Sequence, residues 1–160
     1  MNNTPKIAVF PGSFDPITKG HQNIVERALP LFDQVIIAIG ENIEKRSYFS
    51  LADRLAWIRK TFENNDKIEV VTFSGLTVDF CRKHGAMYIL RGLRTSADFE
   101  FERTIGQVNR KMDEEIETVY FLTAPEFTSV NSSVVREIHR YGGNIGQFVP
   151  QEIFIPPAKY

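Results

Sequence analysis

Short apolar runs alternate with stretches of helical spacing along nearly the whole of this 160-residue chain, and few architectures accept that rhythm. The runs occupy residues 7–10, 35–39, 68–73, 87–90 and 118–122. The first, Ile7-Ala8-Val9-Phe10, is stopped by Pro11-Gly12, and the second, Val35-Ile36-Ile37-Ala38-Ile39, is closed by Gly40. Short β-branched runs bounded by breakers predict strands. Between them, apolar residues at helical spacing predict helices over 20–31, 51–62, 76–83, 97–112 and 132–141. Ser50 and Asp53 form a close relative of the capping box, and Gly85 and Gly142-Gly143 mark helix ends. Strands that are apolar throughout need cover on both faces. The chain therefore reads as α/β: a single doubly wound, mostly parallel five-stranded sheet with helices on both faces, one domain over residues 1–160. In such sheets ligands bind beyond the C-terminal ends of the strands, where the strand order switches.

Charge and cysteine content narrow the function classes. Lys and Arg number 19 against 20 Asp and Glu, a net charge of -1, so the basic footprint of a nucleic-acid binder is missing. No apolar run approaches the length that spans a bilayer, and Met-Asn-Asn-Thr-Pro-Lys is no signal core. Cys81 is the one cysteine, which excludes an internal disulfide framework and a multi-cysteine zinc site. A cytoplasmic protein without nucleic-acid or membrane partners is the expectation.

The residues after each strand carry the chemistry. After the first come Pro11 to His21, with a hydroxyl at Ser13 and an imidazole at His21 on the opening turn of a helix. Unpaired amides and the helix dipole favour phosphate there. The three-glycine dinucleotide spacing and the Gly-Lys-Ser/Thr of a Walker loop are both missing. After the second strand come Lys45 and Arg46. After the fourth come Arg91-Gly92-Leu93-Arg94, cations that favour a phosphate-bearing ligand over surface pairing with Asp98, Glu100 and Glu102. After the fifth, hydroxyls and the amide of Asn131 lead into a helix that carries Arg136. His84 and His139 read as exposed helix-end residues, and Cys81 and Trp57 as packed side chains.

Together, Pro11-Gly12-Ser13-Phe14-Asp15-Pro16, Thr18-Lys19-Gly20-His21 and Asn131-Ser132-Ser133-Val134-Val135-Arg136 resemble the signature of the nucleotidylyltransferase superfamily, with its Rossmann-like fold. With the Lys45 loop, Arg91-Gly92-Leu93-Arg94 and Ala97-Asp98-Phe99-Glu100, the chain resembles the bacterial phosphopantetheine adenylyltransferases over essentially its whole length. The resemblance implies transfer of the adenylyl group of ATP to 4′-phosphopantetheine, with Mg²⁺, giving dephospho-coenzyme A and pyrophosphate. It implies catalytic roles for His21, Lys45 and Arg94. It places Ser13, Phe14, His21, Gly92, Leu93, Arg94, Glu102, Phe127, Thr128, Ser129, Val130, Asn131, Ser132 and Ser133 at ATP. Ser13, Lys45, Thr77 and Arg91 would hold the acceptor. A homohexamer and feedback inhibition by coenzyme A are implied in the same way. Asn131 stands where many members have serine, Phe101 where some have tyrosine, and Ser13 where others have threonine. Rival expectations are another nucleotidylyltransferase, acting on nicotinate mononucleotide or an alcohol phosphate, and a catalytically idle nucleotide-binding module.

Overall fold

A computed structural model describes residues 4–41 and 46–158. In chain order the elements are β1 (Ile7–Gly12), α1 (Lys19–Ala28), β2 (Gln34–Gly40), α2 (Leu51–Thr61), β3 (Ile68–Phe73), α3 (Thr77–Lys83), β4 (Tyr88–Leu93), α4 (Ser96–Met112), β5 (Glu117–Leu122) and α5 (Ser132–Arg140). The five strands form one sheet in the order β3-β2-β1-β4-β5, and every pairing is parallel. Consecutive side chains of a strand point to opposite faces. Phe10, Val35, Ile37, Ile39 and Leu90 accordingly join one core with Ile24 and Val25 of α1, while Val9, Ile36, Ala38 and Ile89 join the other with Val78 and Cys81 of α3. Double-sided cover holds for the three inner strands; β3 and β5, at the edges, are largely half-buried.

Two strands run further than the sequence predicts. β1 continues through Pro11 and Gly12, and β4 through Arg91, Gly92 and Leu93. Pro11 has no N–H to offer a ladder, so a proline ordinarily ends an inner strand. Here β1 pairs with β4 only at Ala8 and Val9, and beyond them the two strands part. The Pro11 carbonyl instead accepts from the Arg91 guanidinium at 3.0 Å. Pro11 thus occupies a strand edge that has already lost its neighbour. The split lies between β1 and β4, where the strand order reverses, and it opens the crevice in which this class of sheet binds ligands.

A third core lies under the C-terminal segment, where Ile145, Val149 and Ile155 pack with Val135 of α5 and with Phe49 and Trp57. This segment is tied to the start of α1, where the Phe148 carbonyl accepts from the Lys19 amide (2.9 Å). His139 belongs to the same packing and corrects the sequence expectation of an exposed helix-end residue: it is buried. Its Nε2 lies 2.7 Å from the Pro156 carbonyl, which can only accept, so Nε2 carries the proton and Nδ1 accepts from the Tyr48 hydroxyl at 2.8 Å. The periodicity of α5 reported a helix face but not the tail that covers it.

Candidate active site

Two cavities open at the split between β1 and β4. The first, of about 370 Å³, is lined by the N-termini of α1 (Thr18, Gly20, His21) and α5 (Asn131, Ser132, Ser133), and by Arg91, Arg94 and Arg136. Two helix N-termini and three guanidinium groups facing one space make an anion site. The second, of about 290 Å³, is lined by Phe73, Ile89 and Ile105, with Thr77 and Asn109 as polar groups. Pro11, Gly12, Ser13, Arg91 and Glu102 line both and form the wall between them.

The loop after β1 is tied from several sides. Arg54 of α2 donates to the Ser13 carbonyl and Arg136 of α5 to the Asp15 carbonyl, both at 2.7 Å. The buried Asp15 carboxylate accepts from the backbone amides of Tyr48 and Phe49, each at 2.8 Å. Ser132 Oγ adds a bond of 2.8 Å to the Pro16 carbonyl. Phe14 takes a left-handed conformation, φ 45°, that costs a residue with a Cβ on the order of 1–2 kcal/mol. That conformation buries its ring edge-on against His21, with ring centroids 5.1 Å apart. Backbone strain at Phe14 therefore goes into seating an imidazole.

His21 is held in one tautomer. It is the third residue of α1 and closes a capping box with Thr18. The Thr18 amide donates to Nδ1 at 3.1 Å, and an amide N–H has no alternative role. Nδ1 is therefore the unprotonated nitrogen and Nε2 bears the hydrogen. Burial, and then the charges of Arg94 and Arg91, push the imidazole from 6.5 down to about 4. His21 at neutral pH is an uncharged donor.

The cations are less free than the sequence implies. Arg91 makes a bidentate pair with Glu102, at 2.7 and 2.5 Å, and Arg94 pairs with Asp98 at 3.2 Å. Glu100 turns instead to Arg103. Pairing with acidic residues and lining the anion cavity thus coexist in the same two arginines.

The cytidylyltransferase-like family model matches residues 9–138. Among curated proteins, the phosphopantetheine adenylyltransferase of Cytophaga hutchinsonii is 48% identical over 148 residues, 92% of this chain and 99% of that protein. Those of Flavobacterium psychrophilum and Flavobacterium johnsoniae are 49% and 50% identical, each over 91% of this chain, covering 96% and 95% of their own lengths. The chain belongs to the phosphopantetheine adenylyltransferase family. Among solved structures it is similar to a bifunctional NMN adenylyltransferase/ADP ribose pyrophosphatase from Francisella tularensis, with a TM-score of 0.71 and 18% identity. That match covers 93% of this chain but 46% of the other, and it bears on the fold alone.

Of the site residues implied by resemblance to phosphopantetheine adenylyltransferases, Ser13, Phe14, His21, Gly92, Arg94, Glu102, Val130, Asn131, Ser132 and Ser133 line the first cavity. Ser13, Thr77 and Arg91 line the second. Leu93, Phe127, Thr128 and Ser129 line neither, and Leu93 is buried beneath the site. Lys45 lies outside the described residues. Thr18, Asp98 and Arg136 join the first cavity without a role implied beforehand, although all three stand in the motifs that carry the resemblance. Asn131 is the N-cap of α5 and accepts from the Val134 amide at 2.9 Å. Serine caps equally well, which accounts for the exchange of the two residues here.

Proposed function

We propose that the two cavities hold ATP and 4′-phosphopantetheine, and that the chain joins them into dephospho-coenzyme A with release of pyrophosphate. The shared wall carries this reading: an anion site built from two helix N-termini adjoins an apolar slot across Ser13 and Arg91. The slot suits an alkyl-amide arm, with Thr77 and Asn109 available to its polar atoms. The arm's phosphate, drawn to Arg91, would then approach the α-phosphate of ATP from across the wall. Holding the two in line is worth several kcal/mol of barrier by itself.

A phosphate monoester is already anionic at neutral pH, so the attack needs no general base. His21 then serves as a fixed donor: Nε2–H bonds an α-phosphate oxygen as charge grows there, and the Thr18 amide keeps the tautomer through the reaction. Arg94 and Arg136 hold the pyrophosphate end, and Arg91 serves the acceptor, the role that the resemblance also implies for Lys45. Mg²⁺ fits as an ion carried by the nucleotide. Among the described residues no three His, Cys, Asp or Glu side chains converge, and Mg²⁺ binds readily through phosphates and water with one or two carboxylates. Asp98, only one of whose oxygens is taken by Arg94, is the side chain that would hold it. Held there, such an ion would supply charge neutralisation for the leaving pyrophosphate.

The same reading includes assembly and control. α4 exposes Phe101, Ile105, Val108 and Met112 along one face, an apolar surface suited to packing between copies in a homohexamer. Light scattering at micromolar concentration should find no 18.3 kDa species; a clean one would refute assembly. Coenzyme A carries the same arm and adenylyl group as the product, so it would occupy both cavities and inhibit. Pyrophosphate release measured with a panel of acceptors tests the whole. Turnover is expected with 4′-phosphopantetheine, whereas turnover with nicotinate mononucleotide and none with phosphopantetheine would overturn the reading.

A further inference from the structure

Arginine has five N–H donors, and Arg91 spends three of them within the protein. Nε and Nη2 grip the Glu102 carboxylate at 2.7 and 2.5 Å, and Nη1 donates to the Pro11 carbonyl at 3.0 Å. One N–H remains on each of Nη1 and Nη2, and charged N–H donors of this kind bind phosphate strongly. Glu102 is the buried residue of α4, and its backbone is pinned as well. The Tyr120 hydroxyl donates to the Glu102 carbonyl at 2.9 Å. One turn on, Gly106 leaves room for that hydroxyl, since a Cβ there would fall 2.3 Å from the Tyr120 oxygen.

A carboxylate between two phosphate sites works against ground-state binding, because it repels both ligands and cancels the charge of the arginine beside it. Its position calls for a compensating role. We propose that Glu102 is a positioning residue: it acts through Arg91, holding the guanidinium so that the two remaining N–H groups stay on the acceptor phosphate. The inference rests on the adenylyl-transfer reading above and replaces the ATP contact that the resemblance implies for Glu102.

Three roles give three signatures in Glu102→Gln, a change that keeps the shape and removes the charge. A repelling charge alone would, on removal, lower KM for both substrates. An ATP ligand would, on removal, raise KM for ATP. A positioning residue raises KM for phosphopantetheine roughly 3- to 10-fold, the cost of ordering one long side chain, and leaves KM for ATP within about twofold. In an Arg91→Ala background the same substitution should then no longer raise acceptor KM. Steady-state kinetics of the wild type, both single variants and the double variant decide among them. A lowered KM for both substrates, a raised KM for ATP, or additive effects in the double variant would each overturn the proposal. A wild type that fails to use phosphopantetheine would refute the adenylyl-transfer reading instead. Should Glu102→Gln fail to fold, nitrogen NMR of the wild type serves. The Arg91 Nε–H signal should stay protected from exchange when phosphopantetheine binds, and its loss would show that the phosphate displaces Glu102.

Discussion

His21 supplies a sharp physical test, because its neutral state has consequences away from catalysis. In the unfolded chain an imidazole titrates near 6.5, whereas in the fold His21 titrates at about 4, mainly through burial and secondarily through Arg94 and Arg91. Between those values the unfolded state binds a proton that the folded state refuses. Stability contributed by His21 is therefore fully present above 6.5 and is lost as pH falls from 6.5 toward 4. The gap corresponds to on the order of 3 kcal/mol, an upper figure because the ring edge opens to the cavity. His21→Gln is the right comparator. Glutamine at the third helical position completes the usual capping box with Thr18, so the helix start survives while the titration disappears. Urea unfolding of both proteins from pH 8 to pH 4 should show the wild type losing more stability than the variant below pH 6.5. Carbon-detected NMR should place the His21 titration near 4, with the hydrogen on Nε2. Parallel stability curves, or a folded-state titration near 6.5, would refute the tautomer and the burial together.

Other consequences are more local. His21→Ala, which leaves no side-chain donor, should lose roughly 10²–10³ in kcat, with a much smaller change in ATP affinity by calorimetry, as for other fixed donors to a developing oxyanion; unchanged kcat with raised KM would make His21 an anchor only. Gly92→Ala would place a Cβ 2.3 Å from Ile24 Cδ1, where α1 crosses β4, and Ile24 is itself buried, so about 1–3 kcal/mol of stability should be lost in chemical denaturation. Cys81 is fully buried with its thiol pushed up to about 12, so a disulfide reagent at neutral pH should react only after unfolding; fast labelling of the native protein would contradict its packing.

What the sequence reveals here divides by range of interaction. Doubly covered strands are legible because β1 and β2 are apolar on both pleats, and the start of α2 is legible at Ser50 because its cap is local. The phosphate motifs are legible because each stands at a strand end. Long-range partners leave no such trace. Arg91, Gly92 and Leu93 read as a loop because their charge and glycine break the apolar run, yet pairing with β5 keeps them in the sheet. His139 reads as exposed because its cover, Tyr48 and Pro156, comes from distant segments. The pairing of Arg91 with Glu102 reads as the lesser alternative from cations gathered at strand ends, because spacing alone does not show that a guanidinium can be both paired and aimed at a cavity.

The most direct measurement is the stereochemistry at the transferred phosphorus. A site that only aligns an anionic acceptor with ATP, and stabilises charge with His21 and the arginines, makes one in-line displacement. Turnover of a single diastereomer of α-thio ATP with 4′-phosphopantetheine should therefore give dephospho-coenzyme A inverted at phosphorus. Retention would mean two displacements through an adenylylated side chain, and would contradict direct transfer between the two cavities.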